Sequence, residues 1–243
     1  MSIYPDRAAM EAGQTLLIDK PLQWTSFDVV AKIRNTSKVK KIGHAGTLDP
    51  LATGLLILCT GKATKTIADL QVQDKTYTLT FCLGAITASY DAEMPPTNFI
   101  DPSSIQPQQV ALAMQSFWGL QQQIPPAFSA IKKNGKPAYL AARKGIDIKL
   151  EPREIRIDTF ELTHWESPQE VHAKVVCSKG TYIRSLVHDL GQLLGCGAYL
   201  TGLRRTYIGE YSVENAFNLE DFILSLKGEN NPEQIQDNSL NIL

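Results

Sequence analysis

The sequence predicts an α+β fold in which helices flank a mixed or antiparallel central sheet. Residues 75–83 alternate between apolar and polar side chains, and residues 155–165 and 171–178 resemble a strand pair around a Glu-Ser-Pro turn. Apolar residues recur at helical spacing in 107–117 and 182–195, but these segments do not alternate strictly with strands. The 243 residues, 43% hydrophobic and 20% charged, suit one large domain or two small ones with a sizeable core.

Residues 1–13 are predicted to be a polar N-terminal extension. They lack the apolar segment of a signal peptide, and no run approaches the roughly 18 apolar residues that cross a bilayer. The four cysteines lie far apart, without the spacing of a metal site, which is typical of reduced and mostly buried thiols. These features predict a cytoplasmic protein with no membrane contact and no metal.

Residues 14–226 are predicted to form the main domain, and its first half is rich in short strands. Thr15–Ile18 is apolar and has the length of a strand. Ser26 is suited to cap a helix, because apolar residues recur at helical spacing after it. The stretch Gly43–Gly54 is too rich in Gly, Thr and Pro for regular structure, so it is predicted to be a shaped loop that leads into strand Leu55–Cys59. Strand Lys75–Leu83 then places Tyr77, Leu79, Phe81 and Leu83 on one face.

The second half of the predicted domain contains an excursion from the core at residues 125–150. A Pro-rich connector at 92–104 precedes a helix that begins at Pro107, and the excursion itself carries turn signals and a short helix. Residues 227–243 are predicted to be a polar, disordered tail. The remaining predicted elements are the hairpin Ile155–Trp165 and Val171–Ser178, helix Tyr182–Gly195, strand region Tyr207–Val213, helix Leu219–Leu226, and a helix near Ala138–Lys144.

The net charge of −1 conceals an asymmetry along the chain. Residues 210–243 hold seven acids and one base, which leaves 23 bases and 18 acids in residues 1–209. The bases cluster at 32–41 and at 132–149, and Arg204-Arg205 adds a third basic site. Each cluster alone is equally consistent with a solvated surface, but together they favour a polyanionic partner.

The Gly43–Gly54 loop carries the residues best suited to chemistry. Asp49 is its one carboxylate and precedes Pro50, so a simple turn initiator is the alternative interpretation. Basic neighbours favour the ionised form of a carboxylate, which suits a nucleophile or a base better than an acid. His44 is weaker evidence because histidines are often structural.

Three further residues have a structural and a functional interpretation. Tyr77 lies on the apolar face of its strand, where burial is the more common use of tyrosine. Tyr182 and Arg184 stand where a strand passes into a helix, so Tyr182 could stack on a base or fill the core. Arg184 could pair with a carboxylate or bind phosphate. The chain has no phosphate-binding glycine motif, and no cofactor is predicted.

The chain resembles the TruB family of tRNA pseudouridine-55 synthases over about residues 14–215. The block Gly43-His44-x-Gly46-Thr47-Leu48-Asp49-Pro50-x-Ala52-Thr53-Gly54 is highly specific for that family. The other matching motifs follow in the family's order: Asp19-Lys20-Pro21 with Trp24-Thr25-Ser26, Lys75-x-Tyr77, Pro125-Pro126-x-Phe128-Ser129-Ala130-x-Lys132, and Gly180-Thr181-Tyr182-Ile183-Arg184 with Leu203-Arg204-Arg205.

The resemblance implies a pseudouridine-synthase fold and an isomerase that changes a T-loop uridine of tRNA to pseudouridine without a cofactor. Asp49 matches the catalytic aspartate, whose role is attack on C1′ or C6 of the nucleoside or proton abstraction at C2′. Each role requires an ionised carboxylate. The target base must be flipped out of the folded T arm to reach it.

The resemblance also implies roles for the surrounding residues. Tyr77 would stack on the flipped base, Arg184 would pair with Asp49, and His44 would occupy the space that the base leaves. Tyr182 and Leu203 would line the pocket, with Lys20 nearby. The 125–150 insertion would clasp RNA through phosphate contacts from Lys132, Lys133, Lys136 and Arg143. The implied partner is the tRNA T stem-loop, bound by a monomer that needs no protein partner.

Two departures and three alternatives accompany this resemblance. Many relatives carry a C-terminal PUA-type RNA-binding domain, which is not expected here, and Ala88 stands where a second aspartate is usual, although Asp91 is retained. A guide-RNA-dependent synthase of the dyskerin type would need that PUA domain, and a purely tRNA-binding chaperone would not need Asp49. A retaining glycosidase would need a second carboxylate about 5 Å from Asp49, for which Asp91 is the candidate.

Overall fold

Ten strands form one mixed sheet in the computed structural model, which describes residues 4–228 except Asn134 and Asp147. The helices are α1 (Arg7–Ala12), α2 (Ser26–Ser37), α3 (Ile67–Val72), α4 (Pro107–Gln115), α5 (Tyr139–Ala142), α6 (Ile183–Leu193) and α7 (Leu219–Lys227). The strands are β1 (Thr15–Lys20), β2 (Ile42–His44), β3 (Ala52–Thr60), β4 (Lys75–Leu83), β5 (Gly119–Gln123), β6 (Lys132–Lys133), β7 (Lys136–Pro137), β8 (Arg153–Ser167), β9 (Glu170–Cys177), β10 (Ala198–Ile208), β11 (Tyr211–Ser212) and β12 (Phe217–Asn218).

The strand order across the sheet is β12-β1-β3-β10-β4-β9-β8-β5, with β2 added to β3 and β11 added to β10. In the described chain, β12 with β1 and β3 with β10 pair in parallel, and the other neighbours are antiparallel. A separate hairpin of β6 and β7 lies within the 125–150 excursion. The predicted α+β fold is confirmed, and of the two sheet types that the sequence allowed, mixed or antiparallel, the structure has the mixed one.

The alternating strand β4 has the bounds that its sequence pattern predicts. Tyr77, Leu79, Phe81 and Leu83 are all buried, because alternate residues of a strand face the same side and this side is covered. Helices α4 and α6 provide that cover, with Val110, Met114, Leu186 and Leu190 in the same apolar cluster. Amphipathic α6 therefore closes one half of the sheet.

A second pair of helices covers the other half of the same face. Ala52 of β3 belongs to the cluster beneath α6, whereas Leu56 and Leu58 pack with α2 and α7. Since these three alternate residues share a face of β3, both helix pairs lie on one side of the sheet. Leu55 and Ile57 point to the opposite side, where residues of the 3-10 helix Gly61–Thr66 and of α3 cover them. The helix face is thus divided into two halves, with the start of β3 at their boundary.

Several sequence predictions differ from the structure in detail. Helix α2 is capped by Thr25 rather than Ser26, in a reciprocal capping box with Asp28. Both ends of the predicted loop 43–54 belong to strands, β2 and β3. Strand β10 begins at Ala198, nine residues before the predicted start, because two register shifts against β4 interrupt its alternation. The predicted tail at 227–243 lies outside the described residues from 229 onward.

The N-terminal segment is more ordered than a polar extension suggests. Residues 7–12 form α1, whose Met10 is fully buried in the cluster under α2. Thr60 donates a hydrogen bond to the Met10 carbonyl at 2.6 Å and ties α1 to the end of β3. The four cysteines are free, three of them buried, as predicted. No helix in the described residues is long and apolar enough to span a membrane.

Candidate active site

Asp49 lies in the loop between β2 and β3, at the boundary between the two helix pairs. The Ser26 hydroxyl fixes this loop, because it accepts a hydrogen bond from the Leu48 N–H at 2.8 Å and donates to the Leu48 carbonyl at 3.3 Å. Gln23 N–H donates to the Pro50 carbonyl at 2.8 Å on the other side of Asp49. Ser26 is almost fully buried, and it holds the loop that carries Asp49 rather than capping α2.

Arg205 holds the preceding part of the loop from beneath. Its guanidinium is 1% exposed and donates to the carbonyls of Leu55 at 2.8 Å and Gly46 at 3.1 Å. Gly54 permits the close pairing of β3 with the β10 backbone at Arg205, since a Cβ at that position would lie 2.3 Å from the Arg205 carbonyl oxygen. Arg205 is therefore an internal support, and the expectation that it belongs to a basic surface is wrong. Its neighbour Arg204 forms a two-point ion pair with Asp19, at 2.6 and 3.0 Å.

Arg184, in the first turn of α6, is paired with Asp49. Its Nε lies 2.9 Å from Asp49 Oδ2 and 3.6 Å from Asp91 Oδ2, and the arginine is only 4% exposed. Its two terminal nitrogens donate to the Ser89 carbonyl at 3.1 Å and the Phe128 carbonyl at 3.0 Å. The pairing implied by the resemblance is present, and Arg184 connects four separate segments of the chain.

The Asp49 side chain is accessible from a cleft, although most of its surroundings are protein. It remains 39% exposed, and the cleft is otherwise lined by Leu51, Ala52, Asp91, Arg184 and residues 200–203. Burial raises the pKa of the Asp49 carboxyl, and the Arg184 guanidinium opposes that rise. The net shift is upward, opposite to the one that basic surroundings alone predict. The carboxylate is thus more basic than an ordinary aspartate.

The turn at residues 87–91 brings the second carboxylate to Arg184. Ser89 Oγ donates to Asp91 Oδ1 at 2.6 Å, and the Thr87 hydroxyl donates to the Asp91 carbonyl at 2.7 Å. Asp91 is buried, whereas the side chain of Ala88 is exposed. The turn is therefore closed by Thr87 and Ser89, and Asp91 faces Arg184 even though Ala88 has no carboxylate.

Lys20 is buried and His44 is half-buried, and both lie near the loop that carries Asp49. Lys20 is fully buried and donates to the carbonyls of Pro21 at 2.9 Å and Trp24 at 2.6 Å. Burial lowers its pKa to about 8, and the negative charge of Asp49 opposes this shift. Burial also lowers the pKa of His44, so its imidazole is neutral near pH 7.

Leu203 lines the cleft, whereas Tyr77 and Tyr182 are placed differently. Tyr77 is 8% exposed and lies in the core cluster that includes Leu48 and Ala52, beneath the loop that carries Asp49. Tyr182 precedes α6, where its N–H donates to Gln123 Oε1 at 2.8 Å and its carbonyl accepts from Gln123 Nε2 at 3.0 Å. The Arg153 guanidinium lies 5.1 Å from the centre of the Tyr182 ring. Nothing in the sequence singled out Gln123, a buried glutamine that joins the base of the excursion to α6.

The excursion presents lysines on a small hairpin. Lys132 and Lys133 of β6 pair with β7, and Lys133 is directly opposite Lys136. All three lysines are exposed, and Lys133 also donates to the Lys149 carbonyl. Arg143 instead pairs with Glu93 at 2.8 Å, so its charge is partly neutralised. Phe128 connects this segment to Arg184, which places the excursion at the border of the cleft.

A mixed sheet with a cleft on its helix face and an aspartate–arginine pair in that cleft defines the pseudouridine synthases. Two solved structures have this fold: the archaeal box H/ACA sRNP Nop10-Cbf5 complex (TM-score 0.67, 25% identity, 92% of this chain) and an H/ACA RNP bound to a substrate RNA containing 2'-deoxyuridine (TM-score 0.66, 26% identity, 90% of this chain). This chain covers 57% and 56% of those two chains.

Residues 34–183 match the model of the TruB family pseudouridylate synthase N-terminal domain, and residues 184–238 match that of the tRNA pseudouridylate synthase B C-terminal domain. The chain therefore belongs to the TruB family. The boundary between the two matches is not a structural one, because β10 of the second part pairs with β4 of the first along most of its length.

Curated relatives agree with this assignment. A protein of Chlorobium luteolum named tRNA pseudouridine synthase B is 51% identical over 216 residues, which cover 87% of this chain and 74% of the relative. A Flavobacterium johnsoniae protein of the same name is 49% identical over 222 residues, covering 88% of this chain and 96% of the relative.

Proposed function

We propose that this protein isomerises uridine 55 in the T loop of tRNA to pseudouridine, with Asp49 as the catalytic carboxylate. The observation that carries the proposal is the Asp49–Arg184 pair at 2.9 Å, set in an open cleft of a chain that belongs to the TruB family. The reaction breaks the N1–C1′ bond and joins C1′ to C5, and the hydrogen on C5 is replaced as N1 gains one. No oxidant, reductant or cofactor is needed for this balance.

Asp49 is suited to each of the three chemical roles that the family resemblance implies. Attack on C1′ or C6 and proton removal from C2′ all need a carboxylate that is ionised, accessible and well oriented. Its 39% exposure leaves the carboxylate open to a substrate. Arg184 favours the charged form, while burial makes that form more basic.

A flipped uridine fits the proposed site better than a base within a helix. Residues 200–203 and Leu51 form apolar and backbone surfaces beside the carboxylate. Leu203 is one of these lining residues. Tyr77 packs directly beneath the loop, and we assign it to the contact with the flipped base. Stacking and edge contacts in such a pocket offset the few kcal/mol that base extrusion costs.

The lysines of the excursion are suited to hold the RNA backbone. Lys132, Lys133 and Lys136 project from a hairpin next to the cleft, and Lys133 and Lys136 are an in-register pair of like charge. Like charges directly opposite each other destabilise an isolated hairpin, so an anion between them would stabilise it. Arg143 is a weaker candidate for a phosphate contact because Glu93 already accepts from it.

We assign residues 14–226 to the catalytic domain and residues 125–150 to its RNA-clasping insertion. We further propose a cytoplasmic monomer that needs no protein partner. Both H/ACA structures belong to assemblies with other components, but the two curated relatives, at 49–51% identity, are named tRNA pseudouridine synthase B. This difference favours an enzyme that recognises tRNA directly over one that depends on a guide RNA.

The test is incubation of the purified protein with an unmodified tRNA transcript, followed by carbodiimide-stop mapping of pseudouridine. Modification is expected at one T-loop uridine in the absence of any added RNA or protein. Asp49→Asn is expected to abolish the product while tRNA binding persists, which would separate catalysis from a chaperone activity. Product formation by Asp49→Asn would refute the carboxylate mechanism, and a requirement for a guide RNA would favour the dyskerin-type alternative.

A further inference from the structure

Tyr90 stacks on His188 in the shell of residues behind the catalytic pair. The ring centres are 3.8 Å apart and the planes are inclined by 11°, which is a nearly parallel stack. Tyr90 lies in the turn between Ser89 and Asp91, and His188 lies in α6 four residues after Arg184. Residues four apart share a face of a helix, so the stack contacts the same face of α6 from which Arg184 projects.

The two neighbours of Tyr90 both face Arg184. The Ser89 carbonyl accepts from a terminal nitrogen of Arg184 at 3.1 Å, and Asp91 Oδ2 lies 3.6 Å from its Nε. On the other side of the turn, the Tyr90 carbonyl accepts from the Leu200 N–H at 3.0 Å. The turn is therefore fixed between β10 and α6, with the Tyr90 ring as its contact with the helix.

The backbone conformation of Tyr90 in this turn is energetically unfavourable. Its φ is +65°, in the left-handed region that non-glycine residues seldom adopt outside Asn and Asp. A tyrosine at such a position needs a compensating interaction, and the stack on His188 supplies one.

Resting on the function proposed above, we infer that Tyr90 and His188 are positioning residues, which clamp the 89–91 turn to α6 and so orient Arg184 toward Asp49. Neither residue lines the cleft, so neither is a catalytic residue. The stack acts through the Ser89 carbonyl and the Asp91 carboxylate, which set two of the contacts of the guanidinium.

The ionisation states of the two rings agree with a permanent stack. Burial lowers the pKa of His188, so the imidazole is neutral near pH 7, and its buried Nδ1 has no hydrogen-bond partner within the described part of the chain. Burial, together with the charge of Asp189, raises the pKa of the Tyr90 hydroxyl, which stays protonated. The contact is therefore one of ring faces, and it does not depend on a hydrogen bond from the imidazole Nδ1.

The test uses substitutions that keep or remove a ring without straining the backbone. Tyr90→Asn removes the ring but tolerates a left-handed φ, and Tyr90→Phe keeps the ring as the matched control. At the other partner, His188→Phe keeps a planar ring and His188→Leu removes it. The measurement is the single-turnover release of tritium from C5 of labelled uridine in a tRNA transcript, together with tRNA affinity and thermal unfolding.

We expect Tyr90→Asn and His188→Leu to lower the single-turnover rate by about 10- to 100-fold with tRNA affinity unchanged, because small displacements of a catalytic pair have effects of this size. The acid limb of the rate is expected to move to higher pH, since Arg184 lowers the pKa of Asp49 more than Asp91 and Glu93 raise it. Tyr90→Phe and His188→Phe should keep the single-turnover rate and the acid limb close to those of the wild-type protein.

A wild-type rate in Tyr90→Asn would overturn the inference. A fall in the rate that only matches the fall in folded protein would also overturn it, if the acid limb does not shift and the phenylalanine variants do not recover the rate. The ionisation of Asp49 is also measured without RNA, by carboxyl ¹³C NMR with Asp49→Asn for assignment. If the wild-type protein made no pseudouridine, the proposed function would fail. The NMR titration would then still decide the inference, because an unchanged Asp49 pKa in Tyr90→Asn would refute it.

Discussion

Arg184 Nε lies 2.9 Å from Asp49 Oδ2, and the same guanidinium is bound by the carbonyls of Ser89 and Phe128. One buried arginine thus joins the loop that carries Asp49, the 87–91 turn and the base of the 125–150 excursion. Because those acceptors surround a planar group with fixed donor directions, the orientation of the pair is set by the tertiary structure and not by the flexible carboxylate alone.

Arg184→Lys is expected to lower the turnover rate by about 100-fold or more while tRNA affinity changes little. A lysine keeps the positive charge, but one ammonium cannot reach the acceptors that a guanidinium contacts together. Steady-state kinetics on a tRNA transcript provide the measurement. A near-wild-type rate would show that charge alone is sufficient and that the orientation of the guanidinium is not needed.

The rate is expected to fall in acid as Asp49 becomes protonated, at a pH above the ordinary range of an aspartate. The carboxylate must be ionised, and burial raises its pKa, so activity is present above that pKa and is lost as the pH decreases through it. The acid limb of kcat/KM measures this value for the free enzyme. A limb at the pH of an exposed aspartate would contradict the predicted effect of burial.

Ser26→Ala is expected to lower the free energy of unfolding by about 1–3 kcal/mol and to lower the rate, because the buried Leu48 N–H loses its partner beside Asp49. Thr25→Ala is the matched control. It removes the cap of α2 and lowers the free energy of unfolding by about 1 kcal/mol, but it removes no hydrogen bond to Leu48. Chemical denaturation and single-turnover rates distinguish the two variants. Equal rates in both would argue against a loop-holding role for Ser26.

Replacing Lys132, Lys133 and Lys136 by Ala is expected to weaken tRNA binding and to flatten its salt dependence. Removing three phosphate contacts should make the slope of log K against log salt less steep by about 2 to 3. The same three positions changed to Arg keep the charge and should keep the slope. An unchanged slope in the alanine variant would place these lysines on a solvated surface away from RNA.

Sequence periodicity predicts the elements in which one pattern dominates. Strands β4 and β9 and the first half of β8 follow from alternation, because one face of each is buried and the other is largely polar. Alternation does not reveal strand β10, because its register shifts near Gly202 and Thr206 are combined with a charged residue, Arg205, that is fully buried. Helix α1 has only six residues, which is too short for a helical pattern to be distinguished.

The candidate site divides in a similar way. Asp49 is identifiable from its motif, and the resemblance supplies Arg184 as its partner and Asp91 as a second acid near it. By contrast, the sequence predicts that Ser26 caps a helix and that Arg205 belongs to a basic surface. Both assignments fail because the hydrogen-bond partners are distant in sequence. Ser26 bonds to Leu48, 22 residues away, and Arg205 bonds to Gly46, 159 residues away.

By itself, the sequence identified the family and the α+β class and singled out Asp49 as the candidate catalytic carboxylate, because the motif block and the strand and helix periods are local properties of the chain. Only the tertiary structure decided which basic residues are free to meet a polyanion, how far Asp49 is buried, and that Tyr90 stacks on His188. Burial, ion pairing and stacking all depend on groups distant in sequence, so their energies arise only when the sheet brings those groups together.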